Sequence, residues 1–219
     1  MTAYLWNDNL TYVSVPKCAC SSMKHFFFET INGFRFQNFR DKDDKLITVH
    51  RFFQSVPFEK LPHAKIAKHF KMALVRKPID RIFSCYQDKV LNHGALKKAA
   101  ERNPETMAGL NPEPTFEEFV RHLARYRMVS TLIRDHTETL SHFLGNDPHY
   151  FDLVADISES DRISDHVIRV TGTAATLPHR NRTGSSGKLN GVSAEAISLA
   201  NEMFAEDERV FGMFFQVEA

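Results

Sequence analysis

A short polar segment between two apolar stretches near the start of the chain contains residue types that can bind an anion. Residues 10–15 form a largely apolar run, residues 16–22 read Pro-Lys-Cys-Ala-Cys-Ser-Ser, and a second apolar stretch continues to residue 31. This pattern predicts a buried strand, a tight loop and a helix. Because backbone N–H groups and the positive end of the helix dipole converge at such a loop, it favours an anion of the phosphate type.

A lysine and two serines give this loop side chains that suit an anion. Lys17 supplies a positive charge, and Ser21 and Ser22 can cap the following helix and donate hydroxyl hydrogen bonds. Taken alone, Lys17 also fits an ordinary solvated surface lysine. The predicted anion-binding residues of the loop are Lys17, Cys18, Ala19, Cys20, Ser21 and Ser22.

A second candidate anion site follows a later apolar run. Residues 72–75 are apolar throughout, which is typical of a central parallel strand, and Arg76 follows them directly. Pro78 suits the first turn of a helix, on which Ser84 lies away from the predicted buried face. An arginine and a serine placed in this way can bind a phosphate group through charge-assisted hydrogen bonds. The alternatives are a structural ion pair between Arg76 and an acid such as Asp80, and a helix serine without a special role.

These residues need particular strands and helices to position them. We predict a strand over residues 10–15, a helix over residues 21–31 and a central strand over residues 72–75. Strands that alternate with helices favour an α/β fold with a mostly parallel sheet. Since ligands bind beyond the carboxyl ends of such strands, Lys17 and Arg76 can face the same crevice.

Residue types also mark where several helices begin and end. Gly33 and Gly172 are predicted to end helices, because glycine suits the C-terminal cap. Thr115 opens a capping box, and Ser193 is predicted to cap the last helix.

Two stretches resemble the nucleotide-binding motifs of one enzyme family. Residues 15–24 resemble the 5′-phosphosulfate loop of sulfotransferases that use 3′-phosphoadenylyl sulfate (PAPS), and most of all the carbohydrate sulfotransferases of the Golgi type and their bacterial relatives. Residues 74–86 resemble the 3′-phosphate motif of the same family, with Arg76 and Ser84 in the matching places. The order of the two motifs also fits, and the resemblance spans residues 10–215.

The resemblance implies a P-loop-type, three-layer α/β fold with a central, mostly parallel sheet flanked by helices. It also implies transfer of a sulfonate group from PAPS to a hydroxyl of an acceptor, expected to be a carbohydrate or glycoconjugate. Lys17 would stabilise the leaving group, and Arg76 and Ser84 would hold the 3′-phosphate. Residues 177–182 resemble the late loop of the family, which adds Asn181 and Arg182 to the nucleotide site. No metal is expected, because a sulfonate carries less charge than a γ-phosphate.

The chain departs from the family pattern at two points. Its loop has no glycine, so residues 18–20 must form a tight turn without the freedom that glycine has at positive φ. Lys77 stands where many relatives have aspartate.

A hydroxyl acceptor needs a general base, and two histidines and one carboxylate are the candidates. His50 ends a predicted strand over residues 46–49, between the two motifs, where some related sulfotransferases carry a catalytic histidine. His136 precedes a predicted strand over residues 151–157, and Glu29 lies on the first predicted helix. An ordinary structural role is the competing interpretation for each histidine, because the chain has 11 histidines.

Composition argues against several other classes of protein. The length of 219 residues predicts a single domain over residues 1–219, and the net charge of +1 argues against a general nucleic-acid-binding surface. Three cysteines argue against a disulfide framework, and Cys18 and Cys20 lack the second cysteine pair of a zinc site. The sequence shows neither a signal-peptide pattern nor a run of transmembrane length, so a cytoplasmic location is the expectation.

Two other classes of function remain open. A P-loop nucleotide kinase would depend on ATP and magnesium, but the chain lacks the G-x-x-x-x-G-K-[ST] motif and offers only Asp156 as a candidate metal ligand. A non-catalytic protein on the same fold would bind the nucleotide and transfer no sulfonate.

Overall fold

The computed structural model describes residues 2–178 and 192–215. Within this part, the chain forms two compact units, each assembled from separate stretches of sequence. The first unit comprises residues 2–76, 140–178 and 210–215, and the second comprises residues 77–139 and 192–209. The single domain over residues 1–219 stays a prediction.

The first unit is built on a four-stranded sheet and also contains a small two-stranded hairpin. The order in the sheet is β1-β2-β5-β6, in which β2–β5 and β5–β6 are parallel and β1–β2 is antiparallel. The strands of the described residues are β1 (Ala3–Leu5), β2 (Leu10–Val13), β3 (Phe39–Arg40), β4 (Leu46–Ile47), β5 (Phe70–Val75) and β6 (Leu153–Asp156).

Helices surround this sheet and form most of the second unit. The α-helices of the described residues are α1 (Cys20–Asn32), α2 (Val49–Phe52), α3 (Pro78–Cys85), α4 (Ala95–Arg102), α5 (Phe116–Arg121), α6 (Leu123–Val129), α7 (Thr131–His136), α8 (Leu140–Leu144), α9 (Asp161–Thr171), α10 (Ala194–Met203) and α11 (Ala205–Phe211). The expected α/β fold, with a central, mostly parallel sheet flanked by helices, is confirmed. Within the described residues, no helix combines the length and apolar character that crossing a membrane requires.

The core of the first unit explains why β2 and α1 form where they do. All four residues of β2 are buried, as expected of a strand covered on both faces. Tyr12 of β2 stacks on Phe27 of α1, with ring centroids 5.0 Å apart, and Phe26 is fully buried beside it. This packing fixes the start of α1 directly beyond the end of β2, which is the arrangement that the loop requires.

The second unit is helical and has its own core. Ile82 of α3, Phe119 of α5 and Tyr126 of α6 are buried in this core. A buried ion pair joins Arg81 to Asp207 at 3.7 Å. Arg81 also donates to the carbonyl of Glu138 at 2.6 Å, so its charge is both paired and hydrogen-bonded.

Two predictions about local structure were wrong. The strand expected over residues 46–49 is only two residues long, and Val49 begins the short helix α2, so that His50 lies on a helix rather than at a strand end. The cause is packing, because Val49 and Phe53 are four residues apart and are both buried in the core. Ser84 is 7% exposed rather than on an open face, because α3 is buried on several sides.

Candidate active site

The predicted anion-binding loop joins β2 to α1 in the first unit. The N–H of Cys18 donates to the carbonyl of Val15 at 3.2 Å and closes a tight turn. The N–H of Met23 then donates to the carbonyl of Ala19 at 3.1 Å, which is the first hydrogen bond of α1. The strand, loop and helix inferred from the pattern of residues 10–31 are therefore present.

The loop makes its turns with non-glycine residues in the left-handed region. Lys17 has φ 67° and Ala19 has φ 50°, whereas Cys18 between them keeps a negative φ. Each left-handed non-glycine residue costs about 1–2 kcal/mol. Alternation of left- and right-handed residues directs successive N–H groups toward one concave surface, which is a known way of binding anions. Strain of this kind is typical of binding and catalytic sites.

The strain at Ala19 leads to a stability prediction. Ala19→Gly is expected to raise the free energy of unfolding by up to about 1 kcal/mol, because relief of the left-handed strain exceeds the entropy that glycine loses on folding. Urea denaturation of the two proteins measures the difference. Ala100→Gly within α4 is the matched control, and we expect it to lower stability by about 0.5–1 kcal/mol. Equal losses in both variants would show that Ala19 is unstrained.

His50 lies against the first turn of α1. Its Nε2 atom is 2.9 Å from the Oγ atom of Ser21. The fold thus brings one predicted base to the predicted anion-binding loop, although 29 residues separate the two side chains in sequence. His136 lies on α7 in the second unit, where its Nδ1–H donates to the carbonyl of Leu132 at 2.8 Å.

Lys24 also lies beside His50, although the sequence pattern gave Lys24 no predicted role. Its side chain is nearly fully buried, and its Nζ atom lies 3.3 Å from Ser55 Oγ and 3.5 Å from His50 Nδ1. Ser55 is held in turn by Ser14, at 2.8 Å between the two Oγ atoms. Over residues 2–178 and 192–215, no carboxylate lies within ion-pair distance of Lys24.

Burial changes the acidity of Lys24. It lowers the pKa of the ammonium below its usual value, because removal from water penalises the charged form, and a charge interaction with Cys20 partly opposes this shift. A signal for Lys24 was present in the sequence. It is a lysine within an apolar helical stretch, three residues after Ser21 and therefore on the same helix face.

The residues predicted to bind the second phosphate lie in different parts of the chain. Arg76 directly follows β5, which is parallel to β2, so Arg76 and the loop both follow carboxyl ends at one edge of the sheet. Arg76 is largely buried in the first unit, whereas Ser84 lies on α3 in the second. Asn181 and Arg182 lie outside the described residues.

Two weaker candidates are engaged elsewhere. Glu29 forms an ion pair with Arg35 at 3.7 Å and lies about 12 Å further along α1 than Ser21. Asp156, the metal ligand of the kinase alternative, accepts hydrogen bonds from the N–H and the hydroxyl of Ser158, at 2.9 and 2.8 Å. Among the residues that the structure describes, no three His, Cys, Asp or Glu side chains converge as a metal site.

An aromatic pocket of about 560 Å³ lies beside α1 and α2. Phe28 and Asn32 of α1 line it on the helix face that also carries Ser21 and Lys24. Five of its eight lining residues are phenylalanines, and the remainder are polar. The full set is Phe28, Asn32, Phe34, Arg35, Phe36, Gln37, Phe39 and Phe52.

The structure is that of an α/β protein in which the strained loop between β2 and α1 lies at the carboxyl edge of the sheet. The profile of the sulfotransferase family matches residues 5–213 of the chain. Since the match covers nearly the whole sequence, the protein belongs to the sulfotransferase family. No curated protein and no solved structure shows significant similarity to the chain.

Proposed function

We propose that the protein transfers a sulfonate group from PAPS to a hydroxyl of a carbohydrate or glycoconjugate acceptor. The observation that carries this proposal is the loop between β2 and α1, in which Lys17 and Ala19 are left-handed and His50 contacts the first helical turn through Ser21. Membership of the sulfotransferase family supports sulfonate transfer, and PAPS is the donor that such a loop suits.

In this proposal the loop stabilises the donor. The N–H groups of residues 19–22 bind the 5′-phosphate and the sulfonate, and Lys17 lies at the oxygen that bridges them. As the S–O bond to the nucleotide breaks, charge develops on that oxygen, and a fixed cation stabilises it. Arg76, together with Ser84, Asn181 and Arg182, is proposed to bind the 3′-phosphate. No metal takes part.

His50 is the proposed general base. Its Nε2 atom accepts the proton of the acceptor hydroxyl while the hydroxyl oxygen forms its bond to sulfur. His136 is kept as the second candidate. The contact of His50 with Ser21 favours His50, because it places the imidazole at the N-terminal end of α1, where the sulfonate would lie.

The aromatic pocket is the proposed site for the body of the acceptor. Phe28 lies about 6 Å further along α1 than Lys24 and on the same face, so the pocket continues the helix face that carries Ser21 and Lys24. The phenylalanine faces suit the apolar face of a ring, and Asn32, Arg35 and Gln37 supply the few polar contacts of a typical small-molecule site. A cytoplasmic location also belongs to this proposal.

The binding of adenosine 3′,5′-bisphosphate tests the donor site. We expect wild type to bind this nucleotide, and Arg76→Ala to weaken binding by about 10–100-fold, because one charge-assisted contact contributes about 1.5–3 kcal/mol. Isothermal titration calorimetry measures both affinities. Arg40→Ala in the exposed hairpin is the matched control and should bind as wild type does.

The outcomes of this experiment separate the alternatives. Failure of wild type to bind the nucleotide would overturn the proposed donor. Binding without sulfonate transfer to any of a broad panel of acceptors would indicate a non-catalytic nucleotide-binding protein on the same fold. Unchanged affinity in Arg76→Ala would remove Arg76 from the site and leave the rest of the proposal in place.

A further inference from the structure

Lys24 is a buried cation that the proposed mechanism does not use. Its side chain is 3% exposed, and its described partners are a serine hydroxyl and one nitrogen of His50. A buried charge without a counter-ion is costly, so its retention at this position calls for a reason. The 3.5 Å distance between Nζ and Nδ1 is long, and contacts of this kind often shorten when substrate binds.

The protonation state of Lys24 decides which nitrogen of His50 can act as a base. An ammonium has three donors and no acceptor, so a charged Lys24 must donate to Nδ1, and the proton of the neutral imidazole then lies on Nε2. In that state Nε2 donates to Ser21 and has no lone pair for a substrate proton. A neutral Lys24 accepts a hydrogen bond from Nδ1–H instead, and the lone pair of Nε2 then points toward the N-terminal end of α1.

We propose that Lys24 and His50 act as one coupled base, an inference that rests on the proposed function. The acceptor hydroxyl gives its proton to Nε2 of His50 while its oxygen bonds to sulfur. The S–O bond to the nucleotide breaks, and its electron pair leaves with the nucleotide phosphate. The proton on Nδ1 moves to the neutral amine of Lys24. The step ends with neutral His50 and an ammonium, which returns its proton to solvent before the next turnover.

The surroundings of Lys24 suit this role. Ser55, held by Ser14, fixes the amine beside the imidazole, and burial lowers the pKa of the ammonium, so the neutral amine is more accessible than that of an exposed lysine. Lys24 acts through His50 and is therefore a positioning residue that also receives a proton. The other titratable groups on the packed elements are Cys20, His25 and Glu29 on α1, Lys17 and Cys18 in the loop, Tyr4 on β1, Tyr12 on β2 and Arg51 on α2.

The pH dependence of kcat tests the coupled base. In wild type we expect kcat to rise with pH well beyond the ordinary histidine pKa of about 6.5, because Lys24 must first lose its proton. Lys24→Arg is expected to lower kcat by about 100-fold at every pH, since a guanidinium stays charged and holds Nδ1 as an acceptor. Lys24→Gln is expected to retain more activity than Lys24→Arg, because its amide oxygen can accept a hydrogen bond from Nδ1–H and so leave the lone pair on Nε2. Its profile should level off near the ordinary histidine pKa.

The two variants separate this role from a purely electrostatic or structural one. If Lys24 only balances the charge of the sulfonate, the arginine variant keeps its activity and the glutamine variant loses it, and the KM for PAPS rises in the latter. That order would overturn the proposal. Thermal melting and calorimetric binding of adenosine 3′,5′-bisphosphate show whether each variant is folded.

A third variant keeps the test decisive if a Lys24 variant fails to fold. Ser55→Ala removes a hydrogen bond that stabilises the ammonium, so the rise of kcat should move to lower pH. An unmoved profile would contradict the coupled base. Sulfonate transfer by wild type is measured first. If wild type transfers no sulfonate, the proposed function is overturned. If wild type is active but Lys24→Arg is more active than Lys24→Gln, only the coupled base is overturned.

Discussion

Lys17→Ala is expected to lower kcat for sulfonate transfer by about 10²–10³-fold, the loss that follows removal of one group that stabilises developing charge in a transition state. The left-handed backbone at Lys17 places this side chain within the loop that joins β2 to α1. Alanine retains a Cβ atom, so the backbone strain of the loop stays the same and only the charge is lost. Steady-state kinetics with PAPS and a hydroxyl acceptor measure the effect.

The control for this experiment is another lysine of the same unit. Lys42 is exposed in the hairpin loop, and Lys42→Ala should have the kcat of wild type. We expect the larger part of the loss in Lys17→Ala to be in kcat rather than in KM, because the charge on the bridging oxygen is greatest in the transition state. Full activity in Lys17→Ala would remove Lys17 from the chemistry.

His50→Ala is expected to lower kcat by about 10²–10⁴-fold, the usual contribution of a positioned general base. The rise of kcat with pH should disappear in this variant, because the group that accepts the substrate proton is gone. The expectation rests on the 2.9 Å contact between Nε2 and Ser21, which places the imidazole at the first turn of α1. Kinetics from pH 5.5 to pH 10 measure both effects.

His136→Ala is the comparison that decides between the two predicted bases. Its Nδ1–H donates to a carbonyl of its own helix, and we expect a smaller loss of kcat than in His50→Ala. His149→Ala, at an exposed position, is the neutral control. A large loss in His136→Ala, together with an active His50→Ala variant, would transfer the role of base to His136.

The sequence alone predicted the helix ends, because these depend on residues that are close together in the chain. Gly33 ends α1 with φ 75°, and its N–H donates to the carbonyl of Glu29, as expected of a glycine cap. Thr115 and Ser193 accept hydrogen bonds at the starts of their helices, and Pro78 occupies the first turn of α3. These predictions succeeded because backbone preferences and capping bonds act within about four residues.

The same local reasoning failed where packing opposed it. Residues 46–49 have the apolar and β-branched composition of a strand, yet Val49 and Phe53 enter the core at helical spacing and make α2 a helix. Ser84 lies off the most apolar stripe of α3 and is still buried, because that helix is covered on several sides. An amphipathic pattern identifies the most apolar face of a helix. It does not show how many other faces of the helix are buried in the folded protein.

The sequence by itself determined the family, the α/β fold and the loop of residues 16–22, because these depend on residue order and short-range preferences. It also supplied Lys17 and two candidate histidines. Only the tertiary structure decided that His50 contacts Ser21 and that Lys24 contacts His50, across 29 and 26 residues of sequence. The proton chemistry proposed for this site depends on those contacts. Burial and hydrogen-bond partners set the protonation of a lysine and a histidine, and distant segments provide both once the core has formed.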